Sequence, residues 1–242
     1  MPFTAAPLEV ALSILFLHFS FWSVYEIGYY ENDLVASKFE VDANVPVGFK
    51  DFENGYSASI AWAWAIALGA AGVAFAWLSG ISHLQVFGGG SGGAGVFAGL
   101  LAIWVALLVA MRLVFRLYNH IDKMTRVFVY LPLQIAKYAG PALIFPLSPA
   151  GAALVFAQIM RRWLPYIVYR YTRKESQTFP ARIVRLLVFA SLWLVLLPSE
   201  ADRAFVIHGA VIFAWLALRG LRQMRDVLDN VAHVASDGWK SQ

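Results

Sequence analysis

The chain has 242 residues, 60% of them hydrophobic and 14% charged, with no cysteine and a formal net charge of +4. With a mean hydropathy of +0.63, it carries more apolar side chains than a water-soluble core could cover, so the composition specifies a polytopic membrane protein. It excludes a disulfide framework, a thiol nucleophile and a cysteine metal site. The positive balance is that of cytoplasmic loops rather than of a nucleic-acid surface.

A helical span needs about 20 apolar residues. The first stretch of that kind is 8–30. No Lys or Arg precedes it, so a cleaved leader is not expected. Its end reads Tyr25-Glu26-Ile27-Gly28-Tyr29-Tyr30-Glu31-Asn32-Asp33 and runs on to Lys38-Phe39-Glu40. Glu26, Asp33 and Glu40 are seven residues apart and would share one face of a continuing helix. Carboxylates at the edge of hydrocarbon are costly and mark a site of binding or reaction. The loop 31–55 is acidic as a whole, and its outer residues are read as a solvated surface.

The second span is 57–78 and the third 96–117, joined by a glycine-rich connection over 88–95. That connection lacks the Gly-Lys-Ser/Thr of a phosphate loop and reads as a flexible hairpin. At the end of the third span Arg112, Arg116, Asn119, Lys123 and Arg126 recur at spacings of four and three, a basic stripe suited to phosphate. The fourth span, 127–147, carries Lys137 near its middle, where a cation needs a carboxylate, a phosphate or a water-filled cavity. The fifth, 149–169, carries Arg161 and Arg162 well inside and Arg170 at its end. Pro132, Pro141, Pro146, Pro149 and Pro165 interrupt these two spans. Spans 183–197 and 204–218 complete seven, and 220–242 is expected to lie along the interface as an amphipathic tail.

Lys and Arg fall on one side of this seven-span arrangement, with Arg203 alone on the other. The basic side is therefore cytoplasmic, the amino terminus outside and the carboxyl terminus inside. The expected architecture is a single all-α transmembrane bundle over 1–242, in a bacterial inner membrane, in contact with lipids and with no nucleic-acid partner. His18 and His208 lie in different spans without ligand spacing and are read as core or pore groups.

Asn32-Asp33-Leu34-Val35-Ala36-Ser37-Lys38-Phe39-Glu40 resembles the first aspartate-rich motif of the UbiA superfamily of intramembrane prenyltransferases, N-D-x-x-D-x-x-x-D. Asn32 and Asp33 match its opening, Glu40 stands for its last aspartate, and Ala36 falls at the middle one. The second acidic motif of that family has no counterpart in 166–175, where basic residues stand instead. The resemblance implies an enzyme that binds a prenyl or polyprenyl (di)phosphate with Mg²⁺ at the cytoplasmic face and transfers the prenyl group to an acceptor. It implies Asp33 and Glu40 as metal ligands, with Glu26, Asp33 and Tyr29 in the catalytic machinery. Asn32, Arg112, Arg116, Asn119, Arg126, Lys137, Arg161 and Arg170 would surround the phosphate, the arginines taking up oxygens that the missing acids leave to them. Two other classes stay open on the residues: a transporter or channel with a path through Lys137, Glu26 and His18, and a non-catalytic assembly or lipid-binding subunit.

Overall fold

The computed structural model describes residues 6–39, 46, 49, 56–86, 93–172, 179–200 and 202–229. All regular structure among them is helical. Seven helices carry the fold: α1 (Pro7–Phe39), α2 (Ala58–Ser79), α3 (Ala94–His120), α4 (Arg126–Ala139), α5 (Pro149–Thr172), α6 (Ala181–Leu196) and α7 (Arg203–Asp229). A one-turn helix, His83–Val86, precedes α3, and a 3₁₀ turn, Gly140–Leu143, follows α4.

Among the described residues four stretches are long and apolar enough to cross a membrane: Pro7–Phe39, Ala58–Gln85, Ala94–His120 and Arg203–Val227. They point large apolar side chains outward, among them Ile60, Trp64, Leu113, Val211 and Leu218. In water such faces would drive association, and in lipid they meet their own kind. The other three expected spans depart from that standard. α4 has 14 residues, about 21 Å of helix against a hydrocarbon core of about 30 Å. Pro141, which cannot donate to a helical ladder, stops it. α6 has 16 residues, about 24 Å. α5 has 24 but carries Arg161, Arg162 and Arg170.

Helices gain little hydrophobic free energy from packing inside lipid, so small residues and polar contacts decide who pairs with whom. α1 and α2 lie together in that way. The Ser13 hydroxyl donates to the Gly72 carbonyl at 2.7 Å, and the Ser20 hydroxyl to the Ala65 carbonyl at 2.6 Å. The Trp104 indole of α3 donates to the Ser20 oxygen at 2.9 Å, tying a third helix to the pair. Ala65, Gly69, Gly72, Val73 and Ala76 form the buried face of α2. A Cβ at Gly72 would stand 2.8 Å from Leu17. Leu17, Val24, Tyr25, Leu100, Trp104, Leu108, Leu133 and Ile144 fill the core of this amino-terminal bundle.

A smaller core joins Ala153 and Ala157 of α5, Leu186 and Phe189 of α6, and Leu216 of α7. The Gln223 side-chain oxygen on α7 accepts from the amides of Arg182 at 2.8 Å and Ile183 at 3.3 Å, satisfying two orphan donors at the start of α6. α4 bridges the two cores. The Trp163 indole donates to the Val127 carbonyl at 2.9 Å, and the Tyr130 and Tyr166 rings stand 4.4 Å apart. Because α1 continues as one helix to Phe39, Glu26 and Asp33 do share a face. Glu40 lies outside the described residues. α7 runs unbroken through Gly220, so the first part of the expected tail continues that helix.

Candidate anion site between the two bundles

The polar residues that the tertiary fold gathers come from α1, α4 and α5. Lys137 of α4 lays its ammonium on a floor of rings: 4.3 Å from the centroid of Trp22, 5.1 Å from Tyr25 and 5.8 Å from Tyr138. Ring faces attract a cation by about 0.5–2 kcal/mol, more where water is thin. Glu26, His18 and Arg162 lie within electrostatic reach of Lys137. Arg162 donates to the Tyr138 hydroxyl at 3.3 Å, and the field of Tyr29 reaches it as well. Tyr29 and Glu26 are exposed toward this side of α1, whereas Tyr25 is buried. The sequence-derived candidates Glu26, Tyr29 and Lys137 therefore do meet, and Arg162 and Tyr138 join them.

Arg162 is also a wall of a cavity of about 230 Å³ lined by Tyr130, Arg161, Pro165, Tyr166, Tyr169 and Ala181. No carboxylate lines it among the described residues. The Arg161 Nε is buried and meets no acceptor. Arg182, Arg185 and Arg219 stand close enough to add their fields to that of Arg161. Arg185 is buried, donates to Gln158 Oε1 at 3.0 Å, stacks 5.1 Å from the Trp215 centroid and keeps its own Nε unmet. Five arginines thus converge from α5, α6 and α7. Guanidinium donors so placed suit the oxygens of a phosphate, which take them two at a time.

The rest of the sequence-derived set is distributed elsewhere. Arg112 forms the ion pair of this region with Glu31 at 2.7 Å, each side chain about one fifth exposed. Asn119 donates to Glu31 at 3.2 Å and to the Gly28 carbonyl at 3.0 Å, locking α3 to α1. Glu31, which the motif passes over, is thus the carboxylate that meets the basic stripe. Arg126 is buried. It donates to the Ile121 and Asn119 carbonyls at 3.1 and 3.3 Å and stacks 5.5 Å from the Tyr118 centroid. Those carbonyls end α3, where a cation meets the negative pole of the helix. Arg116 is exposed. Asp33 accepts from the Asn32 amide at 3.4 Å. Among the described residues no three metal-ligating side chains cluster. Asp33 offers one carboxylate, enough for Mg²⁺ only where phosphate and water complete its shell.

Two further cavities flank the cluster. A groove of about 550 Å³ between α1 and α2 is lined by Phe19, Trp22, Ile60, Trp64 and Leu68, with Glu26 its one charged wall among the described residues. At the far end of α5, Lys123, Met124, Tyr169 and Arg170 line about 410 Å³. Beside it Asp122 accepts from the amides of Met124 at 2.9 Å and Thr125 at 3.0 Å. A hydrogen bond from the Thr125 side chain, and after it those amides, hold its carboxyl below the usual range.

Arg182, Arg185, Arg219, Tyr138 and Gln158 were not reachable from spacing, since they sit on four helices. The available signal was an arginine within an apolar stretch, which Arg185 shares with Arg161. No family model, curated relative or solved structure matches the chain.

Proposed function

We propose that this is an integral membrane protein whose arginine- and tyrosine-lined cavity holds the (di)phosphate of a prenyl or polyprenyl lipid at the cytoplasmic face, and that it serves prenyl transfer to an acceptor. The supporting observation is the group of arginines around Arg161 and Arg162, with no carboxylate among the described residues of the cavity wall and a guanidinium Nε left unmet. A phosphorylated head meets that charge while its tail lies in the apolar groove beyond Trp22. Mg²⁺, implied by the resemblance, would be held by Asp33 together with phosphate oxygens and would neutralise the leaving group. In the transfer, the prenyl C–O bond breaks with its electron pair on the diphosphate. The acceptor's nucleophilic atom bonds the freed carbon and gives its proton to a base, for which Glu26 is the candidate. Tyr29 presents its ring to the developing allylic cation. The seven-helix topology, amino terminus outside, belongs to the same proposal.

The test measures binding of farnesyl diphosphate to the purified protein in neutral detergent, with farnesol as the control lacking phosphate. Arg161→Gln/Arg162→Gln is expected to weaken binding at least tenfold, at about 1.5–3 kcal/mol per charged hydrogen bond lost. Unchanged affinity, or equal binding of farnesol, rejects the reading. Lys137 within electrostatic reach of both His18 and Glu26 favours a second reading, a transport path. Solute or proton flux in liposomes that stops in Lys137→Met would carry it.

A further inference from the structure

We infer that the groove between α1 and α2 binds a lipophilic organic cation, an ammonium or phosphonium centre on an apolar body, with Glu26 as its counter-charge. The site stands on these two helices and depends neither on the arginine cavity nor on prenyl transfer. Under the reading above, a prenyl tail and the cation occupy the groove in turn, so each displaces the other.

The groove encloses about 550 Å³, within the range of about 300–1,000 Å³ that drug-sized ligands fill. Its walls Phe19, Ile60 and Trp64 are each more than half exposed. It therefore opens on the apolar face of two membrane-length helices, and a ligand enters it from lipid. Such a ligand needs an apolar body. The groove adds a requirement that a plain hydrocarbon does not meet, because Glu26 stands in its wall and is exposed. The charges that act on this carboxylate are those of Lys137 and Asp33. They are opposite in sign and offset one another, which leaves the negative charge of Glu26 itself. Among the described residues no cation stands within ion-pair distance of it. A carboxylate beside hydrocarbon is costly, and a cation bound against it recovers that cost.

The donor set selects the kind of cation. A small metal ion requires several oxygen ligands. The groove hydroxyls are turned elsewhere: Ser23 donates to the Phe19 carbonyl at 2.9 Å, and Ser57 pairs with the Ser59 hydroxyl at 3.0 Å. A primary ammonium would also need more acceptors than one carboxylate supplies. Ring faces, in contrast, attract a diffuse cation, tryptophan most of all, and aromatic walls suit alkylated ammonium groups. Trp22 already carries one cation, the Lys137 ammonium at 4.3 Å from its centroid. Trp64 is the second tryptophan of the groove. One carboxylate among aromatic and aliphatic walls matches a single diffuse positive charge on a lipophilic body.

The experiment is equilibrium dialysis of radiolabelled tetraphenylphosphonium against the full chain in neutral detergent at low salt. Detergent alone sets the baseline, and tetraphenylborate, an anion of the same shape, is the control. Saturable binding is expected for the phosphonium and not for the borate. Glu26→Gln is expected to lower the affinity about tenfold or more, the order of a lost charged contact. Trp64→Ala, at a position 60% exposed where the fold does not need the ring, is expected to lower it about threefold or more. Full affinity in both variants, or equal affinity for tetraphenylborate, overturns the inference. Tetraphenylphosphonium bound where farnesyl diphosphate is not upholds the cation site and removes the lipid reading. Farnesyl diphosphate bound where tetraphenylphosphonium is not overturns the cation site alone. Both bound without displacing one another takes the prenyl tail out of the groove and upholds the cation site.

Discussion

At the scale of single residues, partner identity decides what each charge can do. Arg112 and Arg162 look alike in sequence, as arginines within or at the end of apolar stretches. In the fold, Arg112 is neutralised by Glu31, while Arg162 faces tyrosines and a cavity. Glu31→Gln removes a part-buried charge from opposite Arg112 and weakens the hold of Asn119. The expected cost is about 1–3 kcal/mol, read as a lower melting temperature in detergent, with farnesyl diphosphate binding kept. Asp33→Asn, in contrast, is expected to abolish transfer while the protein inserts and purifies normally. Full turnover in that variant would remove Asp33 from the mechanism. The sequence drew attention to Glu26, Tyr29, Lys137 and Arg161, which the fold does bring to one region. It could not show that Asn119 and Arg126 serve α3 and its contact with α1, because a carbonyl at a helix end leaves no mark in sequence.

At the scale of helices, close approach sets the geometry that the site inherits. Gly28 lies between Glu26 and Glu31 on α1, and a Cβ there would run into the Phe115 ring of α3. Gly28→Ala must therefore push α1 from α3 or turn Phe115, at roughly 1–3 kcal/mol for an overpacked contact. The expected result is a lower melting temperature that Phe115→Leu partly restores. Additive losses in the double variant would place the strain elsewhere. α4 shows the opposite effect, an element cut short. Its apolar sequence continues past Ala139, yet Pro141 ends the α-helix and a 3₁₀ turn carries the chain to the buried Ile144 and Phe145. The His83 amide then donates to the Ile144 carbonyl at 2.9 Å, so the short helix is anchored by the α2–α3 connection.

At the scale of the whole molecule, two cores flank a polar seam. The amino-terminal bundle is the larger, and α5, α6 and α7 form the smaller one, with α4 between them. Arg182 of α6 and Arg219 of α7 lie at one level, as Arg182 donating to the Arg219 carbonyl at 3.5 Å shows. The absence of cysteine makes orientation testable without background labelling. Glu200→Cys, beyond α6, is expected to react with an impermeant maleimide added to intact spheroplasts. Arg222→Cys, on α7 past Arg219, is expected to react only after permeabilisation. The reverse pattern would place the arginine seam on the outer side and exclude a cytoplasmic substrate.

The sequence by itself determined that this is a helical membrane protein and where most of its helices run. Apolar run length and proline positions are local quantities that a bilayer and a backbone read directly. Counted over seven spans, it also leads to the expectation that Lys and Arg gather on one side. Tertiary structure alone decided which of those charges remain available. Pairing of Arg112 with Glu31 and convergence of Arg161, Arg162 and Arg185 depend on helices distant in the chain, and capping of α3 by Arg126 depends on the turn that folds α4 back onto the end of α3. Electrostatic energy depends on distance and burial rather than on spacing, so the same residue type can be a spent structural cation on α3 and an unspent one on α5.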